Sequence, residues 1–309
     1  MKQLWRLLIL CGALALHNPG HSQAPPPAPR HQLQLPAPSE ATQDTSGSVQ
    51  FIGTATVLIR FHGMTILTDP NFLHKGEHVH LGYGLKSQRL TNPAIEFEQL
   101  PPIDLVLLSH LHEDHFDKLV ERKLDRATPI VTTAAAARKL QKLGFQRTYG
   151  LDAWDTMSVS KGAAALTISA MPARHGPAAV ALLLPPVMGA MLEFAPHGNS
   201  PYRIYVSGDT LVHDDIEDIP RRFPNIDLAL LHLGGTRILG VAKVTMDGED
   251  GVRMLQLIAP QRAIPIHFND YDVFKSPLSD FQQAVERAGL RDKVSYLKPG
   301  ENYTFPAPK

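Results

Sequence analysis

Ser109-His110-Leu111-His112-Glu113-Asp114-His115-Phe116-Asp117 follows directly on Leu105-Val106-Leu107-Leu108. The apolar run reads as a buried strand, and the polar stretch begins where that strand should end. Three imidazoles and a carboxylate within six residues, His110 to His115, are hard to explain as packing. Imidazole and carboxylate are the ligands that suit zinc, iron or manganese. On an extended segment His110 and His112, two apart, point the same way and suit one ion. Asp114 and His115, on the turn into a helix that begins near Phe116, suit a second.

Each of those ions still lacks ligands, and four further apolar runs end in polar clusters. Residues 166–171 lead to Arg174-His175-Gly176, and Ile204-Tyr205-Val206 leads to Ser207-Gly208-Asp209-Thr210. Residues 228–231 lead to His232-Leu233-Gly234-Gly235-Thr236, and Ala263-Ile264-Pro265-Ile266 leads to His267-Phe268. One strand-end histidine is usually structural. Five strands that each deliver His or Asp at one end build a single cleft if those ends share an edge. His175, Asp209 and His267 then supply the missing ligands in number and type, and a carboxylate is available to bridge two metals.

With these motifs in hand, the chain resembles the metallo-β-lactamase superfamily of metal-dependent hydrolases over nearly all of residues 49–305. The carrying motif is His110-x-His112-x-Asp114-His115, followed in order by His175, Asp209 and His267. The resemblance implies an α/β fold, a four-layer αββα sandwich with the metals on one edge of its two sheets. It implies His110, His112 and His175 as ligands of a first metal, Asp114, His115 and His267 as ligands of a second, and Asp209 as the bridge. Asp69 matches an early Asp that orients a ligand histidine. The nearest branch in appearance is that of lactonases and N-acyl-phosphatidylethanolamine phospholipase D. That likeness rests on Gly53-Thr54-Ala55-Thr56, Leu67-Thr68-Asp69-Pro70, His232-Leu233-Gly234-Gly235 and Met246-Asp247-Gly248-Glu249-Asp250. Thr245 and Gly248 depart from it, where relatives often carry histidine and proline. True β-lactamases of this fold lack the bridging Asp, so Asp209 counts against antibiotic hydrolysis.

The implied activity is hydrolysis of an ester, lactone, amide or phosphodiester of a small molecule or lipid. Two divalent cations, zinc before manganese or iron, would share a hydroxide as nucleophile. Asp114 is then a candidate to guide its proton, and His232 to protonate the leaving group; a histidine merely satisfied beneath the Gly234-Gly235 loop is the plainer account of His232. Arg174, Arg237 and Lys243 fall beside the motifs and could hold an anionic group, although surface Arg and Lys are common. His74, His78 and His80 read as solvated loop residues. Leu182-Leu183-Leu184-Pro185-Pro186-Val187-Met188 reads as core strand and hairpin, or as apolar surface for a lipid near the cleft. The rival functions are an iron-dependent oxidoreductase on the same fold and a non-catalytic metal-binding module of the envelope.

Composition narrows the field. Lys+Arg 30 balances Asp+Glu 30, so no basic field exists to attract nucleic acid. Lys2 and Arg6, then a ten-residue apolar stretch over 7–16, then Gly20, Ser22 and Ala24 follow the layout of a secretory signal. Residues 1–22 are therefore expected to be a signal peptide of a periplasmic or secreted protein, with no membrane span in the mature chain. Cys11, the only cysteine, lies inside it, so all metal ligands must be nitrogen or oxygen. Residues 23–48, rich in Pro, Ala, Gln and Ser, are expected to be an extended linker, with the hydrolase domain over 49–309. Residues 71–93 read as a long loop.

Overall fold

The computed structural model describes residues 28–37, 46–82, 84–195, 201–238 and 240–306. The expected signal peptide lies outside them. His62 and Gly63 both take left-handed backbone, with φ of 49° and 71°. Two such residues in a two-residue turn match the twist of flanking strands. Thr56–Phe61 and Met64–Thr68 consequently fold back as an antiparallel pair. Around them a seven-stranded sheet runs in the order Asn302–Pro306, Ser46–Gly53, Thr56–Phe61, Met64–Thr68, Leu105–Leu107, Ile130–Thr133, Thr148–Leu151. A second seven-stranded sheet has the order His31–Leu35, Thr156–Lys161, Ala164–Met171, Gly189–Ala195, Tyr202–Val206, Leu228–His232, Arg262–Ile266.

The unbroken apolar runs arise because these strands are covered on both faces. Leu105 and Leu107 enter the core between the sheets together with Ile59, Ile66, Ile168, Leu192, Leu228, Leu230 and Ile264. Val106 and Leu108 face outward onto Val120 and Leu140, borne by helices Lys118–Lys123 and Ala134–Lys142. On the far side Ala229 and Leu231 pack against Met254, Leu255, Phe281 and Val285 of helices Gly248–Ile258 and Leu278–Arg287. The layers are α, β, β, α, which is the four-layer sandwich.

Strand direction positions the site. Met64–Thr68, Leu105–Leu107 and Ile130–Thr133 are parallel, as are Tyr202–Val206, Leu228–His232 and Arg262–Ile266. Ala164–Met171 shares the direction of Tyr202–Val206, since two antiparallel pairings separate them. The C-terminal ends of parallel strands are where crevices form in α/β sheets. Asp69, His110, His175, Asp209, His232 and His267 all follow or occupy such ends.

Three expectations need correction. The linker over 23–48 contains strand His31–Leu35, paired in parallel with Thr156–Lys161; Leu33 and Leu35 alternate with Gln32 and Gln34 and are buried. The first domain strand begins at Ser46, ahead of residue 49. Residues 71–93 include a small hairpin, His78–His80 against Lys86–Gln88. No described helix is long and apolar enough to cross a membrane.

Candidate metal centre

Ser109 to His115 leaves the buried Leu105–Leu107 strand as a turn capped by Asp117, whose carboxylate accepts from Val120 N at 2.8 Å and starts the next helix. That turn aims its side chains back over the sheet edge. His110 Nε2 stands 2.8 Å from His112 Nδ1, and His175 Nε2 stands 3.4 Å from the same atom. Three ring nitrogens therefore converge. His175 donates from Nδ1 to the carbonyl of Val244 at 2.9 Å, which leaves the Nε2 lone pair turned toward the other two.

A second group forms beside it from Asp114, His115, Asp209 and His267, all buried. His115 Nε2 lies 3.2 Å from Asp209 Oδ2 and 3.9 Å from Asp114 Oδ2. His267 Nε2 lies 3.6 Å from Asp114 Oδ2 and 3.7 Å from Asp209 Oδ1. Here too a backbone carbonyl fixes the tautomer, Leu233 O accepting from His267 Nδ1 at 3.1 Å. Asp114 Oδ1, Asp209 Oδ1, His115 Nε2 and His267 Nε2 are buried with no hydrogen-bond partner. Buried polar atoms are almost always paired, and two carboxylates with two imidazoles are the donor set of a divalent cation. The residues present fit such an ion.

Behind the second group runs a column of Asp69, His115 and His232. Asp69, at a left-handed φ of 35°, accepts from Ser109 N at 2.7 Å through Oδ1. Its Oδ2 faces His232 Nε2 at 3.3 Å and His115 Nδ1 at 3.5 Å. His232 is fully buried, and its Nδ1 is 3.2 Å from Ser207 Oγ. It stands behind Asp69 and does not line the pocket that opens on the two groups, a position that suits the satisfied histidine of the sequence reading better than a proton donor.

Electrostatics divides the groups. Burial, then repulsion from His175, pulls His112 down to about 4, and burial likewise lowers His110 and His175. These imidazoles are neutral at pH 7. For His115 burial acts in the same direction, but Asp209, Asp114 and Asp69 outweigh it and raise the group. Burial alone would raise Asp114; His115 and His267 overcome it and hold the carboxyl near about 2.

The seven side chains named from the motif therefore meet at one rim. Of the three cations named beside them, Arg237 lines the pocket. Lys243 is bound to Asp247 at 2.6 Å and also paired with Asp250, and Arg174 is not part of the lining. The pocket wall is otherwise Leu81, Leu85, Leu184, Ile238, Val244 and Val273, with Thr236 and Thr245. Leu184, Pro185 and Pro186 also line a groove that continues past His112 and carries Glu113, Lys118, Glu121 and Lys139 as well, and Leu182 is 86% exposed. Leu184, Pro185 and Pro186 are cleft surface, while Met188 is buried in the core and Met191 and Leu192 belong to core strand.

A family model described as the beta-lactamase superfamily domain matches residues 65–268. The chain belongs to this superfamily. Among its relatives is a UPF0173 metal-dependent hydrolase of Nanoarchaeum equitans, 27% identical over 205 residues that cover 66% of this chain and 87% of that one. Two solved structures share the fold. One is an isothiocyanate hydrolase from Delia radicum gut bacteria, with TM-score 0.71 and 21% identity over 84% of this chain and 100% of the other. The second is a possible metal-dependent hydrolase from Veillonella parvula, with TM-score 0.72 and 19% identity over 84% and 99%.

Proposed function

We propose that this superfamily member is a metal-dependent hydrolase that holds two divalent cations, zinc before manganese or iron, and cleaves an uncharged carbonyl substrate with an apolar flank. One observation carries the reading: four partnerless buried donor atoms, on Asp114, His115, Asp209 and His267, beside three converging imidazole nitrogens. His110, His112 and His175 would hold the first cation; Asp114, His115 and His267 would hold the second, with Asp209 between them. The cations, when bound, supply Lewis acidity and a nucleophile usable at neutral pH.

The chain itself does the rest. Val244 O and Leu233 O fix the tautomers of His175 and His267, so the Nε2 lone pairs of both already face the site. Asp114 lines the pocket and, held near about 2, stays ionised; it suits orienting an attacking water more than storing its proton. Leu81, Leu85, Leu184, Ile238, Val244 and Val273 make the pocket wall mainly apolar, with Arg237 its one lysine or arginine, a lining that favours esters, lactones or amides with an apolar flank over phosphodiesters. The Lys2, Arg6 and 7–16 pattern supports export to the periplasm or medium as part of the same proposal, which N-terminal sequencing of the fractionated protein tests.

The deciding experiment is metal analysis of the purified protein followed by turnover on neutral aryl esters, lactones and bis(p-nitrophenyl) phosphate. Two equivalents of zinc with hydrolysis of the neutral compounds is the expected result. A chain that takes up no divalent cation, or cleaves the phosphodiester best, overturns the reading.

A further inference from the structure

Arg89 is fully buried, the one lysine or arginine so placed among the described residues, and no carboxylate pairs with it there. A buried charge without a counter-ion is expensive, and its neighbours give the reason for keeping it. Its Nη1 donates to Asn71 Oδ1, and its guanidinium lies 5.3 Å from the centroid of the Tyr271 ring. Tyr271 OH donates to the same Asn71 oxygen at 3.0 Å. Arginine can only donate, so the Asn71 oxygen must face it, and the amide NH₂ is left to face the other way. It donates at 3.0 Å to the carbonyl of Glu113, the residue immediately before Asp114. Gly53 is packed so closely that an added Cβ would stand 3.1 Å from Arg89 Nη2. The next residue, Thr54, accepts the amide of His267, which holds a left-handed φ of 61°.

Asn71, Tyr271 and Gly53 thus meet on one guanidinium, and one bond beyond them lie Glu113, beside Asp114, and the amide of His267. We infer that Arg89 is a positioning residue for the second cation, acting through Asn71 on the Glu113 carbonyl and through Tyr271 and Gly53 on the His267 turn. The inference rests on the two-cation reading. It weights Arg89 toward the second group: the network reaches Glu113 beside Asp114 and the amide of His267, while of the first group only His112 adjoins it, as the other neighbour of Glu113, and His175 is held separately by Val244 O. A bare charge effect has the opposite sign, because removing a buried cation would strengthen cation binding nearby.

The test is a zinc titration of the metal-free full chain against a chromophoric chelator, for wild type, Arg89→Met, Asn71→Ala and Tyr271→Phe. Wild type is expected to bind two ions. Arg89→Met and Asn71→Ala are expected to weaken one of the two by about 10–100-fold, the range for lost support of metal ligands, and to leave the other within about threefold. The Arg89→Met, Asn71→Ala double variant should lose no more than the worse single variant. If Arg89→Met does not fold, Tyr271→Phe, which keeps the ring and the buried charge, carries the comparison and should weaken the same ion. Two ions bound with unchanged affinity, a tighter second ion, or equal weakening of both overturns the role of Arg89. A wild-type chain that binds fewer than two ions instead overturns the two-cation reading.

Discussion

Replacing Asp69 by asparagine changes few atoms and addresses the orientation of His115 directly. The asparagine oxygen can still accept from Ser109 N, as Asp69 Oδ1 does at 2.7 Å. The NH₂ then replaces Oδ2 opposite His232 Nε2 and His115 Nδ1, at 3.3 and 3.5 Å. An NH₂ only donates, so His115 must present a lone pair at Nδ1 and carry its proton on Nε2. That is the atom 3.2 Å from Asp209 Oδ2, on the side where the second group converges. Loss of support of this kind costs about 10–100-fold in metal affinity, which is about 1.4–2.7 kcal/mol at 25 °C. Asp69→Ala adds a second penalty of about 1–3 kcal/mol, because the buried Ser109 N–H loses its acceptor.

The two variants therefore separate on two axes. Asp69→Asn should bind one of two zinc ions more weakly, with the metal-free melting temperature lowered by the lost pairing to His115 but less than in Asp69→Ala. Asp69→Ala should lose both affinity and melting temperature. Calorimetric zinc titration and thermal denaturation of the metal-free proteins measure these. Wild-type affinity for both ions in Asp69→Asn would refute the tautomer argument, as would an equal loss from both groups.

Three further outcomes follow from other parts of the molecule. His112→Ala with Asp209→Ala takes one donor from each group, so turnover and bound metal should both vanish while far-UV circular dichroism stays nearly unchanged; retained turnover would remove the proposed site. Leu33→Ala with Leu35→Ala should cost about 2–5 kcal/mol at each position in urea denaturation, because both side chains are buried on the parallel edge strand; no loss would mean the strand is dispensable. Burial, and then Arg174, holds His213 below its ordinary 6.5, so the unfolded chain binds a proton that the fold resists. Its contribution is present above pH 6.5 and is lost as pH falls toward the folded value, and His213→Gln should flatten the decline of melting temperature as the pH falls below 6.5; an unchanged slope would show that His213 is not the group responsible.

What the sequence reveals and what it hides follow a physical division. The seven convergent side chains are legible because parallel strands covered on both faces read as apolar runs, and function then gathers where those runs stop. The layering is legible for the same reason, since Leu105 and Leu107 face one core while Val106 and Leu108 face another. The strand His31–Leu35 also carries its signal, the alternation of Leu33 and Leu35 with glutamines. Flanking prolines conceal it, because composition averages over a window wider than five residues. The supports are of another kind. Val244 O and Leu233 O set two tautomers, yet every residue has a carbonyl, so no side chain announces the role. Arg89, Asn71 and Tyr271 are far apart in the chain and ordinary in type. Backbone pairing of residues 88–90 with 270–272 brings Arg89 and Tyr271 together, and their side chains hold Asn71 under Glu113. His232 shows the converse: at a strand end beside a glycine pair it resembles a proton donor to a leaving group. Its depth in the fold, behind His115 and against Asp69, makes it a brace. A strand-end histidine therefore has its role decided by which side of the rim it faces, and that depends on the register of Leu228–His232 against Arg262–Ile266, a long-range property that local pattern does not carry.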